Sequence, residues 1–306
     1  MKIEYAIIVK SKTRFESLIE RFNTKSQAKF YIESSGGNFE NYVIEHETFH
    51  IALNSLQTQL SGLIKHKTID RSFLQSFIFS ENNLIIVIGQ DGLVANTAKY
   101  SKNLPIIAIN PDKDRYDGVL LPFDINNFLI AVERILSNNH NIKTVRFAEV
   151  ILNDGQKLLA FNDLFIGTAS HTSARYRISH NETTEEHSSS GIIVSTQAGS
   201  TGWLSSIFNM AYGVTQMFEK NIQVKRPKLK DNQLLFAVRE PFKSIRTQTE
   251  LTIGILNNSH KLKIESLMPN NGVIFSDGIE KDFLKFNSGT IATIGIANET
   301  ASLVER

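Results

Sequence analysis

The stretch Leu84-Ile85-Ile86-Val87-Ile88-Gly89-Gln90-Asp91-Gly92-Leu93 decides the fold. Five consecutive apolar residues without polar alternation read as a strand buried on both faces, the habit of a parallel sheet. The run ends at Gly89-Gln90-Asp91-Gly92, which is turn chemistry. A second run of the same kind, Pro105-Ile106-Ile107-Ala108-Ile109, ends at Asn110-Pro111-Asp112. Around them, residues 4–9 read as a strand and residues 73–79 as a short apolar segment. Residues 11–22 read as a helix with Phe15, Leu18, Ile19 and Phe22 on one face, and residues 54–65 repeat that spacing. Residues 125–136 form a further predicted helix, capped by Asp124. Strands alternating with helices imply βαβ units, so the first part is an α/β N-terminal domain with a parallel sheet.

After Ser137-Asn138-Asn139-His140-Asn141 the pattern changes. Short strand-like segments at 145–152, 157–167, 176–178, 191–196, 233–238, 250–256, 261–266, 272–276 and 290–296 are separated by Gly, Asn, Asp and Ser. Such closely spaced strands predict a β-rich, sandwich-like C-terminal domain. The polar stretch 181–190 reads as a loop, and one helix starts near Ser200 and runs towards Met210. The boundary falls near residue 142, giving domains 1–142 and 143–306.

A length of 306 residues accommodates two domains. With 41% hydrophobic and 21% charged residues, disorder and a transmembrane bundle are excluded. The 33 basic against 31 acidic residues leave a net charge of +2, too little to neutralise many phosphates, so no nucleic-acid partner is expected. The absence of cysteine removes disulfides, thiol nucleophiles and thiolate metal sites. The eight histidines show no HxH pair, and no metal ligand is assigned. The apolar stretches fall far short of the roughly 20 residues that cross a bilayer. The opening MKIEYAIIVKSKTRF, broken by Lys10, Lys12 and Arg14, lacks a signal-peptide core. A cytoplasmic location without a membrane partner is the expectation.

Three segments could carry chemistry. Gly89, Gln90, Asp91 and Gly92 follow a buried strand at its carboxyl end, where ligands bind in open α/β sheets. Their backbone N–H groups could cradle phosphate and Asp91 would be held near it, although Asp-Gly is also ordinary in turns. Ser195-Thr196-Gln197-Ala198-Gly199-Ser200-Thr201-Gly202 offers hydroxyl and backbone donors ahead of a helix, as an anion site or simply as a cap. Asn162 and Asp163 interrupt the apolar 158–167, and neighbours in a strand face opposite sides, so one of them points inward. It then needs a partner, either backbone or ligand.

The order and spacing of these segments resemble the NAD kinase family. Its Gly-Gly-Asp-Gly-Thr signature is similar to Gly89-Gln90-Asp91-Gly92-Leu93, its Asn-Glu pair to Asn162-Asp163, and its Thr-Gly-Ser-Thr-Ala-Tyr stretch to Ala198-Gly199-Ser200-Thr201-Gly202-Trp203. The family's late strand and turn resemble the segment around Asp277-Gly278, so the resemblance covers roughly residues 84–298. It implies transfer of a phosphoryl group from ATP to the 2′-hydroxyl of the adenosine ribose of NAD(H), with Mg²⁺ on the donor and no covalent cofactor. It further implies Asp91 as general base, Gly89, Gln90 and Gly92 at phosphate, and Asn162 and Asp163 at the adenosine. Ser190, Ala198, Ser200, Thr201, Gly202, Trp203 and Ser206 would line the NAD pocket. A homodimer or homotetramer is implied as well.

The departures fall at ligand-facing positions. Gln90 stands for Gly, Leu93 for Thr, Asp163 for Glu, Ser190 for Asp and Trp203 for Tyr. Two other readings remain open at this point: a non-catalytic sensor of NAD(H) or NADP(H), and a lipid or small-molecule kinase of the diacylglycerol-kinase-type fold. The basic run Lys225-Arg226-Pro227-Lys228-Leu229-Lys230 reads as a solvated loop, and Arg239 and Glu240 as surface or paired charges.

Overall fold

The computed structural model describes residues 3–218 and 225–306. The chain divides into two compact units, residues 1–144 with 301–306, and residues 145–300.

The first unit is built on parallel strands β1 (Tyr5–Lys10), β2 (Lys65–Asp70), β3 (Asn83–Ile88) and β4 (Pro105–Ile109). They lie in the order β2-β1-β3-β4, every neighbouring pair parallel. The continuous apolar runs are buried on both faces, as expected: Leu84, Ile85, Ile86, Val87 and Ile88 have no exposed surface. Helices α1 (Arg14–Phe22), α2 (Lys25–Ser34), α3 (Glu40–Ser61), α4 (Asp91–Ala98) and α5 (Phe128–Leu136) complete the unit. Phe49, Leu53, Leu56 and Leu60 of α3 and Phe128, Val132 and Ile135 of α5 pack with Ile8, Ile86 and Ile107 in one core.

Several predicted bounds move. Helix α1 starts at Arg14 because Thr13 closes a capping box with Glu16. Helix α3 begins fourteen residues before the predicted 54, its first turns disguised by Glu45, His46, Glu47 and His50, and Lys65 already lies in β2. Asp124 does not cap α5 directly. It accepts from the N–H of Asn126 at 2.7 Å and sets the turn that leads into the helix. Only the single helical turn Arg71–Phe73 touches the predicted apolar segment 73–79.

The second unit contains β5 (Ile142–Leu152), β6 (Lys157–Ala160), β7 (Asp163–Thr168), β8 (Ala174–His180), β9 (Thr183–Ser189) and β10 (Ile192–Ser195). Helix α6 (Trp203–Thr215) precedes β11 (Leu234–Val238), β12 (Ile253–Leu256), β13 (Leu262–Ser266), β14 (Gly272–Ser276), β15 (Ile279–Lys285) and β16 (Ile291–Val304), whose residues from Ala301 on belong to the first unit. One antiparallel sheet runs β12-β11-β10-β7-β14-β15. A second joins β16, β13, β8 and β9, with β5 pairing β16 and β6. Leu164, Ile166, Ile192, Val194, Phe236 and Ile274 of the former meet Val150, Tyr176, Ile178, Leu262, Ile264 and Ile294 of the latter in one buried core. This is the predicted sandwich. On the outer face of the first sheet, Leu204 of α6 packs on Leu235 and Ala237, and Trp203 and Ile207 pack on Phe165, Ile193 and Val273.

Residues 181–190 are not a loop. Strand β9 pairs with β8 over its whole length, from Ala174↔Ser189 to His180↔Thr183. Its inward residues are polar, which hid the strand. His187 Nε2 meets Glu185 Oε2 at 2.8 Å, and Ser189 Oγ meets the Tyr176 hydroxyl at 2.7 Å. The predicted strand 157–167 is two strands, broken at Phe161 and Asn162. Residues 301–306, read from the sequence with the second domain, lie with the first unit, where Ser302 and Leu303 pair in parallel with Pro105 and Ile106. No helix among the described residues is long and apolar enough to cross a membrane.

Candidate functional site

In the first unit, Gly89, Gln90, Asp91 and Gly92 carry the chain from β3 into α4, so the segment opens a helix and is no isolated turn. Gly89 has φ +155°, and a Cβ there would come within 3.0 Å of the Leu93 side chain. Gly89, Gln90 and Gly92 line a cavity of about 320 Å³ together with Lys12, Arg14 and Arg71. The free N–H groups of a helix start and three basic side chains suit an anionic ligand. Asp91 turns elsewhere. Its Oδ2 accepts from the N–H of Val119 at 3.1 Å and its Oδ1 from the N–H of Leu120 at 2.9 Å, which ties down the loop after β4. Each oxygen keeps a lone pair for a further donor. The carboxylates that line this cavity are engaged: Glu45 holds Arg14 and lies 3.8 Å from Arg115, and Asp112 lies 3.2 Å from Arg115.

In the second unit, three segments that are far apart in sequence form one knot. The Asp277 carboxylate accepts from the N–H groups of Asn162 at 2.6 Å, Phe161 at 3.1 Å and Asp163 at 3.4 Å. The Asp277 N–H returns a bond to the Asp163 carbonyl at 3.0 Å. Asp277 takes φ 54°, a left-handed conformation that Asp tolerates. From the other side, Thr196 Oγ1 donates to the Phe161 carbonyl at 2.6 Å and the Thr196 N–H to the Asn162 carbonyl at 2.9 Å. Gly199 closes the knot, for a Cβ there would lie 2.1 Å from the Asn162 carbonyl oxygen. Only glycine admits that approach.

The inward residue of the polar pair is Asp163, 7% exposed, whereas Asn162 is half-buried at the strand break. Burial pushes the Asp163 carboxyl up to about 7, and the Asp277 carboxylate adds to the effect. Among the described residues its oxygens receive no hydrogen bond, so they are available to a hydroxyl or amino group of a ligand.

Ala198, Ser200 and Thr201 form a single helical turn and Gly202 precedes α6; no side chain caps that helix, so Ser200 and Thr201 are not there as caps. Arg226 donates to the Ser200 carbonyl, so this member of the basic run is not merely solvated. Ser206 is exposed on α6. Trp203 and Ser190 line a cavity of about 770 Å³ with Phe165, Phe275, Arg239 and Glu240. Trp203 stacks on Phe165 with centroids 5.7 Å apart and 7° between planes, and the Arg239 guanidinium lies 5.4 Å over the indole. Arg239 is paired, 3.9 Å from Glu240, as expected. Its place on Trp203, and the platform of Phe165 and Phe275, come from strand neighbours that no local motif marks. A flat aromatic surface under a cation suits a planar ring carrying phosphate.

No protein-family profile matches the chain. Residues of the chain are 27% identical to the NAD kinase of Chlorobaculum tepidum over 121 positions, 39% of this chain and 42% of that protein. The NAD kinase of Saccharolobus islandicus is 26% identical over 153 positions, 50% of this chain and 59% of that protein. The chain thus spans about half the length of the curated relatives it matches. The crystal structure of yeast NADH kinase complexed with NADH superposes with a TM-score of 0.64 at 15% identity, covering 100% of this chain and 84% of that one. The structure of an NAD kinase from Archaeoglobus fulgidus in complex with ATP gives 0.57 at 16% identity, covering 98% and 93%. The chain is related in sequence to the NAD kinases and has their fold.

Proposed function

We propose that the chain is an NAD kinase-like phosphotransferase that forms NADP(H) from NAD(H) and ATP. The observation that carries this reading is the knot in the second unit. Residues 161–163, 195–199 and 277 are three separate segments of the sequence resemblance, and here they hold one another through side-chain and backbone bonds. Asn162 and the Asp163 carboxyl would bind the adenosine half of the dinucleotide. Trp203, with Phe165 and Arg239, would hold a planar ring, and Ser190, Ala198, Ser200, Thr201, Gly202 and Ser206 would border it.

In the reaction the ribose 2′-oxygen forms a bond to the γ-phosphorus as the bond from that phosphorus to the β,γ-bridging oxygen breaks. ADP leaves, and the 2′-OH proton passes to the Asp91 carboxylate and then to water. The free lone pairs of Asp91 orient the hydroxyl while Val119 and Leu120 fix the carboxylate plane. Gly89, Gln90 and Gly92, with Lys12, Arg14 and Arg71, would take the donor phosphates. Charge stabilisation of this kind supplies most phosphoryl-transfer catalysis. Mg²⁺ would arrive on those phosphates and neutralise them, since each carboxylate of the cavity already has a protein partner.

The two bonds from Asp91 to Val119 and Leu120 also favour a second reading, a dinucleotide sensor in which Asp91 only braces a loop. Purified protein with Mg²⁺-ATP and NAD or NADH, assayed for NADP(H), separates the two. Turnover supports the kinase. Saturable NAD(H) binding without product overturns it in favour of the sensor, and a protein that binds neither dinucleotide overturns both.

A further inference from the structure

Helices α1 and α3 of the first unit bring together Glu16, His46 and His50, a set that the proposed phosphotransferase does not use. One ligand-capable atom of each lies within 4.8 Å of the other two. We propose that these three residues form a binding site for a divalent first-row transition ion such as Zn²⁺, separate from any Mg²⁺ carried by a nucleotide. His46 and His50 are four residues apart on α3, which puts both rings on one helix face, with centroids 4.4 Å apart. His50 Nε2 is already 3.1 Å from Glu16 Oε1, near the spacing that two ligands take around a tetrahedral ion.

The surroundings orient the ligands. His46 Nδ1 meets the Thr13 hydroxyl at 3.0 Å, and a proton donated there leaves the lone pair on Nε2. The second oxygen of Glu16 is held at 2.7 Å by the N–H of Thr13, so the carboxylate presents Oε1 in a fixed direction. All three residues are half-buried, and Glu16 also lines an open surface cavity of about 640 Å³, which gives an ion a way in. Lys10, on the rim of that cavity, is 4.0 Å from Asp70, and this pairing tempers its repulsion of a cation. Two imidazoles and one carboxylate suit Zn²⁺, Co²⁺ or Fe²⁺ and leave at least one position for water. Such an ion would staple α1 to α3.

The test uses the full chain, freed of metal by chelation and exchanged into chelator-free buffer without nucleotide. Zn²⁺ is titrated by calorimetry and Co²⁺ by visible absorption. The wild type should take up one equivalent of Zn²⁺ and show the d–d bands of nitrogen-ligated Co²⁺. The double variant His46→Gln/His50→Gln should weaken binding by more than the roughly 10–100-fold that loss of a mere outer hydrogen bond costs. Glu16→Gln should also weaken it, and Gln keeps the capping box, so α1 stays folded by circular dichroism. His66→Gln and His260→Gln, at unrelated surface histidines, should bind as the wild type does. No stoichiometric uptake, or equal uptake by the double variant, overturns the site. Since no step depends on NADP(H) formation, the outcome is independent of the proposed enzyme activity.

Discussion

Replacing Asp163 by Asn should make the second unit more stable in weak base and less stable in acid. In the folded chain the Asp163 carboxyl titrates at about 7 against an ordinary 3.8. The folded state therefore keeps a proton that the unfolded chain has lost between those values, and wild-type stability falls as pH rises from about 4 to about 7. At 1.36 kcal/mol per pH unit, the full cost above pH 7 is about 4 kcal/mol. Asn has no such dependence. It brings an amide that lacks a partner in the buried site, a penalty of about 1–3 kcal/mol that is nearly constant with pH. The variant should thus be the weaker protein at pH 4 and the stronger at pH 8, the difference between them moving by about 4 kcal/mol. Trp203 is the only tryptophan and belongs to the second unit, so its fluorescence during urea unfolding at pH 4, 6 and 8 reads this unit. A variant-to-wild-type difference that stays flat with pH would refute the reasoning, because Asp163 would then be ionised at no cost.

Gly199→Ala places a methyl group 2.1 Å from the Asn162 carbonyl oxygen and should destabilise the second unit by at least the 1–3 kcal/mol or so typical of overpacking, seen in the same fluorescence transition. Asp91→Asn should lower NADP(H) formation by roughly 10²–10⁴ if Asp91 takes the proton, with the dinucleotide dissociation constant nearly unchanged. An unchanged rate would leave Asp91 only its bonds to Val119 and Leu120. Asn162→Ala should weaken NAD(H) binding by about 1–3 kcal/mol in calorimetric titration. Trp203→Ala removes the face between Phe165 and Arg239 and should weaken the same binding, whereas Trp203→Phe should restore much of it.

What the sequence revealed depended on whether burial and polarity agreed. Strands β3 and β4 are apolar throughout because both faces are covered, and their pattern could be read directly. Strand β9 buries Glu185, His187 and Ser189, which pair with one another and with Tyr176, so its alternation is one of contact and not of hydrophobicity. Helix α4 was hidden because Gly-Gln-Asp-Gly is turn chemistry until a helix follows it. The density of small residues at 195–202 was visible, and its cause is the approach of Gly199 to Asn162. Arg226 on Ser200, Arg239 on Trp203 and Asp277 beneath residues 161–163 join positions tens of residues apart. Only the folded chain brings them together. His46-Glu47-Thr48-Phe49-His50 has HExxH spacing that is visible in the sequence, and only the fold shows that Glu16 of another helix faces its two histidines.

The pairing of Ser302 and Leu303 with Pro105 and Ile106 has a consequence for biosynthesis. A chain leaves the ribosome from its amino end, and its early portions begin to fold at once. The first unit cannot finish its sheet in that way, because β4 waits with an open edge until residues 302–303 have been made. The whole of residues 145–300 is translated during that wait. An exposed strand edge invites pairing with other chains, so the nascent first unit passes through a sticky stage until residues 302–303 pair with β4. A ribosome that stalls within the second unit would release a first unit lacking its closing strand, marking an incomplete product for chaperones and proteases.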